Sequence, residues 1–272
     1  MSRRSHGLDR LDLLFAIDAA DGDDRFTANP PGEGFLYGGM TLGLAVRAAA
    51  ATVADGLQPK SLHTMFQRAG QWGPQLDLAV ERLSDSRSFS TRSVTLSQFG
   101  QTLATSLVSF HVPDAGNDWQ EPAPVVARPE SLEGATVVFG SGADPVEVRQ
   151  VFPIPPLAGE IIHPYWAKPR LPLPADPLLS ECTLAFISDY MVIYSPFARG
   201  TGAGKRQISR TLEHALWFHR PFVFDDWLLF SCEPLSVTGG RYVSRGQVHD
   251  QAGALVASFA QEGLIRPMSE KA

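Results

Sequence analysis

The chain runs through one order of elements twice, and this repetition limits its fold more than any other feature. Residues 38–54, "GGMTLGLAVRAAAATVA", are small or apolar nearly all round, the pattern of a buried helix. "SLHTMFQRAG" (61–70) and "QLDLAVERLSDSRSFSTRSVTLSQFGQTLATSLVSFH" (75–111) follow, with β-rich runs broken by the turn signals "SDSR" and "QFGQ". The second half starts again with an apolar stretch, "LLSECTLAFISDYMVIYSPFA" (178–198), which predicts a second helix. "TLEHALWFHRPF" (211–222), "DWLLFSCEPL", "GGRYVSRGQVHD" and "ALVASFAQEGLI" then predict strands. An offset of about 150 to 153 residues superposes Gly39 on Asp189, Ser61 on Thr211, Arg92 on Arg245, Gly100 on Gly253 and Ala104 on Ala257.

A long apolar helix needs a second layer to bury it, so a helix followed by antiparallel strands, twice over, predicts an α+β fold. Residues 112–135 and 152–177 are rich in proline and interrupt regular structure, apart from one strand expected near "YWAKPR". The expected organisation is an N-terminal unit over 1–115, a proline-rich linker over 116–165 and a C-terminal unit over 166–272.

Of the 272 residues, 44% are hydrophobic and 19% charged, which supports a sizeable core and argues against global disorder. The net charge of 23 − 29 = −6 argues against nonspecific binding to nucleic acid. An anionic small ligand needs only a local cluster of cations. Cys182 and Cys232 both sit in apolar runs, as reduced buried thiols of a cytoplasmic protein do. The opening "MSRRSHGLDRLDLLFAIDAADGDD" reads as a short amphipathic helix and not as a signal peptide. The apolar run at 38–54 contains Arg47 and is too short to span a bilayer comfortably.

Equivalent positions that differ between the copies carry the chemistry. Gly39, Ser61 and Val108 in the first copy stand against Asp189, Thr211 and Gln261 in the second. The second copy thus gains a carboxylate and an amide, and carries a threonine hydroxyl where the first copy has that of Ser61. With Ala185, Phe186, Val192 and Ile193 one helical turn away, Asp189 is flanked by apolar groups, a setting that perturbs a carboxylate and prepares a general base or a nucleophile. Position alone equally fits an Asp at a kink or a helix terminus. Gln261 shares a strand face with Leu255, Ala257 and Phe259, while Glu262 points the other way. A lone Thr211 at the start of its strand would be an ordinary β-former, and it gains meaning only with the other two.

His214 and His219 are five residues apart, so on a strand they face opposite sides and cannot share a metal. His214 reads as a satisfied structural histidine and Arg220 as a strand-end charge. "GAGK" (202–205) lacks the spacing of a phosphate loop, and no G-x-S-x-G elbow is present. The glycines of "GEGFLYGG" (32–39) read as places where the backbone runs close to something at the first helix.

Six ordered blocks resemble the acyl-CoA thioesterase II family: "GFLYGGMTLGLAVRAA", "PKSLHTMFQRAG", "VERLSDSRSFSTRSV", "AFISDY", "TLEHALWFHRPFVFDDWLLF" and "GALVASFAQEGLIR". The resemblance implies a double hot-dog fold, two long buried helices wrapped by a continuous antiparallel sheet. It also implies hydrolysis of fatty acyl-CoA to fatty acid and CoA, with a lytic water bound by Asp189, Thr211 and Gln261. The family usually has Asp where Glu213 stands, and the linker and the stretch after Asp189 are hard to match.

A glycine-rich helix start exposes backbone donors, so the N–H of Gly39 or of its neighbours is the expected oxyanion donor. Arg68, Arg87 and Arg92 are candidates for the CoA phosphates, and each fits a solvated strand charge equally well. The substrate expected is acyl-CoA, with no cofactor, no metal, no membrane span, and further association of whole chains through sheet edges. A non-hydrolytic acyl-CoA or acyl-carrier binding protein of the same fold is the alternative. A hot-dog dehydratase or hydratase would need a His beside a carboxylate, for which only His63 and His214 are near the right elements.

Overall fold

A computed structural model describes residues 10–132, 145–151, 164–176, 178–199 and 207–267. In the first half, α1 (Leu11–Leu14), β1 (Asp18–Ala19) and β2 (Arg25–Ala28) precede the long helix α2 (Gly38–Ala50). Strands β3 (Gln58–Phe66), β4 (Leu76–Asp85), β5 (Phe89–Gln98) and β6 (Gln101–His111) follow. The second half has β7 (Val146–Gln150), β8 (Tyr165–Pro169), α3 (Leu178–Ser188) and a 3₁₀ segment, Val192–Arg199. It closes with β9 (Gln207–Phe218), β10 (Leu228–Thr238), β11 (Arg241–His249) and β12 (Leu255–Pro267).

Among the described residues, all twelve strands join one sheet in the order β1-β2-β4-β5-β6-β3-β9-β12-β11-β10-β8-β7. Read outward from its centre, each half has the same order: β3-β6-β5-β4-β2 on one side, β9-β12-β11-β10-β8 on the other. The halves meet where β3 pairs antiparallel with β9, from Ser61 opposite Trp217 to Met65 opposite Glu213. The sheet wraps α2 and α3. This is the expected α+β double hot-dog, and the expected strand near "YWAKPR" is β8.

The two helices cross antiparallel with their backbones almost touching. A methyl group on Gly39 would stand 2.1 Å from the carbonyl oxygen of Phe186. One on Gly43, a turn later, would stand 2.3 Å from the Phe15 ring and 3.0 Å from the Cys182 carbonyl oxygen. Only glycine permits this approach. The far end of α2 is capped by a buried cation. Arg92, on β5, donates to Thr52 Oγ1 at 2.8 Å and to the Thr52 carbonyl at 3.0 Å, and pairs with Asp85 at 2.7 Å. The guanidinium meets the Thr52 carbonyl just past the last turn and opposes the negative end of the helix dipole. Arg92 is therefore a structural cap, 1% exposed, and not a contact for CoA phosphates.

Three sequence expectations are corrected. The second apolar helix stops at Ser188, where 198 was expected, because the chain there tightens into a turn. Tyr190 N–H bonds back three residues to Ile187 O at 2.8 Å, and Met191 takes a left-handed φ of 61°. Thr211 does not start its strand; β9 begins four residues earlier at Gln207. The proline-rich stretch adds β7, which pairs antiparallel with β8. Of the expected N-terminal amphipathic helix, α1 is the described part, with Leu14 and Phe15 buried; residues 1–9 lie outside the described residues, as does "GAGK".

Gly43→Ala forces a methyl into the helix crossing and should cost about 1–3 kcal/mol of stability as overpacking. The expected reading is a lower urea midpoint with an unchanged denaturant slope.

Candidate active site

Asp189 is the first residue beyond α3 and is 5% exposed. The turn that presents it is held from behind by Tyr165, whose hydroxyl donates to Tyr190 O at 3.1 Å. In front stands the start of α2. A Cβ on Gly38 would lie 2.6 Å from Asp189 Oδ2, and the Gly39 N–H donates to the carboxylate. Tyr37 ties the two helix ends together by donating its hydroxyl to Phe186 O at 2.8 Å. The positive end of α2 thus faces a buried anion. Burial still dominates: desolvation pushes the Asp189 pKa up to about 7, against the lowering effect of hydrogen bonds from Thr211 and Gly39.

The three polar positions of the second copy come together. Thr211 Oγ1 donates to Asp189 Oδ1 at 3.0 Å. Gln261 Nε2 donates to Thr211 Oγ1 at 3.3 Å and to the Tyr242 hydroxyl at 2.9 Å. Gln261 is 1% exposed and lies on the inward face of β12 with Ala257 and Phe259, as its alternation predicts.

A further partner of this cluster is His214, whose Nδ1 is 2.8 Å from Gln261 Oε1 and whose Nε2 is 2.9 Å from Ser188 Oγ. Strict alternation puts Thr211 and His214, three apart, on opposite faces. A β-bulge overrides it: Glu213 pairs with Glu262, but Thr211 pairs with Gly263, so an extra residue is taken up between them. The bulge turns both side chains inward. His219 faces elsewhere, with Nε2 2.8 Å from Ser258 Oγ. Tyr242 reaches Gln261 across Gly263, where any Cβ would meet its ring at 2.3 Å. His214 and Tyr242 are members of the cluster that sequence reasoning missed.

A cavity of about 780 Å³ opens beside the cluster. Asp189, Thr211 and Gly38 lie on its wall, together with apolar side chains such as Leu36, Phe66 and Met191. Gln261 stands behind Thr211. Exposed Arg68 and Arg210 also line the cavity, whereas Arg87 and Arg92 do not. The N–H of Gly39, expected as the oxyanion donor, is turned to Asp189. Gly38 heads the helix on the cavity wall, where its own N–H has no intrahelical acceptor.

Such a site, on a double hot-dog frame, can hold a water against a carbonyl and take its proton, which is the chemistry of a hydrolase. Family models described as the acyl-CoA thioesterase N-terminal and C-terminal domains match residues 28–111 and 111–265. The chain belongs to the acyl-CoA thioesterase II family. It is 30% identical over 251 residues to acyl-CoA thioesterase 2 of Haemophilus influenzae, covering 85% of this chain and 87% of that protein. Human acyl-coenzyme A thioesterase 8 is 30% identical over 258 residues, with 85% and 80% covered. The crystal structure of an acyl-CoA thioesterase II from Mycobacterium marinum superposes with a TM-score of 0.81 at 30% identity, covering 96% of this chain and 99% of that one.

The burial of Asp189 predicts a protonated carboxyl in neutral to acidic solution. In infrared difference spectra, a protonated-carboxyl stretch should vanish as the pH rises through about 7 and be missing from Asp189→Asn. A band that titrates near pH 4, the ordinary carboxylate range, would contradict the assignment.

Proposed function

We propose that in this acyl-CoA thioester hydrolase Asp189 is the general base, acting on a water that Thr211 and Gln261 orient. The observation that carries the proposal is the position of Asp189: a buried carboxylate with a raised pKa on the wall of a largely apolar cavity, hydrogen-bonded to the Thr211 hydroxyl. The water lies against Asp189 and Thr211, and the acyl chain occupies the apolar part of the cavity. Attack joins the water oxygen to the thioester carbonyl carbon, and the proton lost passes to Asp189. The oxyanion is met by the start of α2, where the Gly38 N–H is a better-placed donor than that of Gly39. Collapse breaks the C–S bond, and the thiolate, a good leaving group, takes up the proton. Gln261 donates to Thr211 Oγ1, so the threonine proton is directed to Asp189 and not elsewhere.

Arg68 and Arg210 are the cations that line the cavity, and they supply the local positive charge that CoA phosphates require of an acidic protein. Among the described residues no helix is long and apolar enough to cross a membrane. The proposal extends to a cytoplasmic, self-associating enzyme. Its supports are two buried free thiols, Cys182 and Cys232, and exposed Met65, Leu107 and Trp217 on neighbouring central strands.

Release of free thiol from acyl-CoA tests the assignment. Asp189→Asn should reduce kcat by about 10²–10⁴-fold, the usual span for a general base, while leaving the fold intact. Turnover at the wild-type rate would end the assignment, whereas binding of acyl-CoA without any turnover by the wild type would favour a non-hydrolytic carrier. The basic form of Asp189 is the active one, so kcat should fall about tenfold per pH unit below its pKa of about 7 and level off above it.

A further inference from the structure

His214 is 1% exposed, lies against the Phe259 ring with centroids 5.8 Å apart, and does not line the cavity. Its two nitrogens close a ring of side chains. Ser188 Oγ is 2.9 Å from Nε2, Gln261 Oε1 is 2.8 Å from Nδ1, Gln261 reaches Thr211, and Thr211 reaches Asp189, the residue after Ser188. We propose that His214 is a positioning residue of the hydrolytic site: it locks the Gln261 amide in one orientation, and this commits the Thr211 proton to Asp189. The inference rests on Asp189 being the base.

Counting protons gives the polarity of the ring. An ionised Asp189 can only accept, so the Thr211 hydroxyl must donate to it. Thr211 Oγ1 is then free to accept, and its neighbour on Gln261 must be the amide N–H₂. The other end of that amide is the carbonyl oxygen, which also can only accept. His214 must therefore carry its proton on Nδ1, and Nε2 presents a lone pair to Ser188. The Ser188 hydroxyl is shared between this lone pair and Ala185 O, 2.8 Å away. If the amide were turned over, its oxygen would compete with Asp189 for the Thr211 proton, and the carboxylate would lose its donor. Burial holds the imidazole neutral, with its pKa lowered to about 4, so one tautomer persists across the working range.

Thiol release by the full-length enzyme tests this with four variants: His214→Leu, His214→Asn, Gln261→Ala, and the double His214→Leu/Gln261→Ala. Leucine fills the space without a donor. Asparagine carries an amide N–H close to where Nδ1 stands. His214→Leu should lower kcat about 10- to 100-fold with KM within about twofold, and His214→Asn should restore most of the loss. In the Gln261→Ala background, His214→Leu should cost less than about twofold more, because the histidine acts through the amide. Wild-type kcat in His214→Leu, equal losses in the Leu and Asn variants, or losses that multiply in the double variant would each overturn the inference.

Should His214→Leu fail to fold, ¹⁵N NMR of the wild-type imidazole decides: Nδ1 protonated and Nε2 bare supports the inference, and the opposite tautomer overturns it. An active Asp189→Asn would defeat the catalytic assignment itself, whereas an inactive Asp189→Asn beside a fully active His214→Leu defeats only the role of His214.

Discussion

The close antiparallel crossing of α2 and α3 is the constraint on which the site depends. Glycines at 39 and 43 let one helix rest on the backbone of the other, and this registers the start of α2 against the end of α3. Asp189 is the residue at that meeting point. Removing a carboxylate from water costs several kcal/mol unless partners replace the solvent. Here the helix start, the Gly39 N–H and the Thr211 hydroxyl replace part of it. The remainder is what raises the Asp189 pKa to about 7, so incomplete compensation is also what makes the group a serviceable base at neutral pH.

Duplication divides the labour between the two halves. Position 39 in the first copy and position 189 in the second are equivalent by sequence, and in space they face each other. The first copy supplies backbone: a glycine that lets α2 come close and an N–H that meets the anion. The second supplies side chains. A carboxylate at both positions would have put two charges in one dry pocket, where like charges repel strongly. The asymmetry is therefore a physical requirement of building one charged site on a nearly two-fold frame.

Much of this was legible in the sequence, for reasons that can be given residue by residue. The nearly all-round apolar character of 38–54 leaves little face for solvent, so a covered helix follows directly, although the helix itself ends at Ala50. Asp189 and Gln261 stand out because each replaces a less polar residue, Gly39 and Val108, at the equivalent position of the other copy, and Thr211 joins them as the hydroxyl that answers Ser61. The structure brings these three within hydrogen-bond reach of one another. Other features depend on contacts between distant residues. The end of α3 at Ser188 follows from a turn held by Tyr165, on a strand far away in sequence. The bulge opposite Glu262 and Gly263 reverses the alternation of β9, so His214 reads as belonging to the wrong face for the site until the register is known. Arg92 looked like a surface cation because nothing local shows that a helix ends above it.

Arg92 also fixes how α2 is mounted. One end of the helix abuts Asp189 and the other is clamped to β5, so its thirteen residues form a strut of about 20 Å with no slack. Adding or deleting one residue between 38 and 50 would rotate every later side chain by about 100° and shift it by about 1.5 Å. Such a change would misalign either the clamp or the anion contact. Evolutionary variation in length should therefore be barred from this rod and admitted in the connections at the rim.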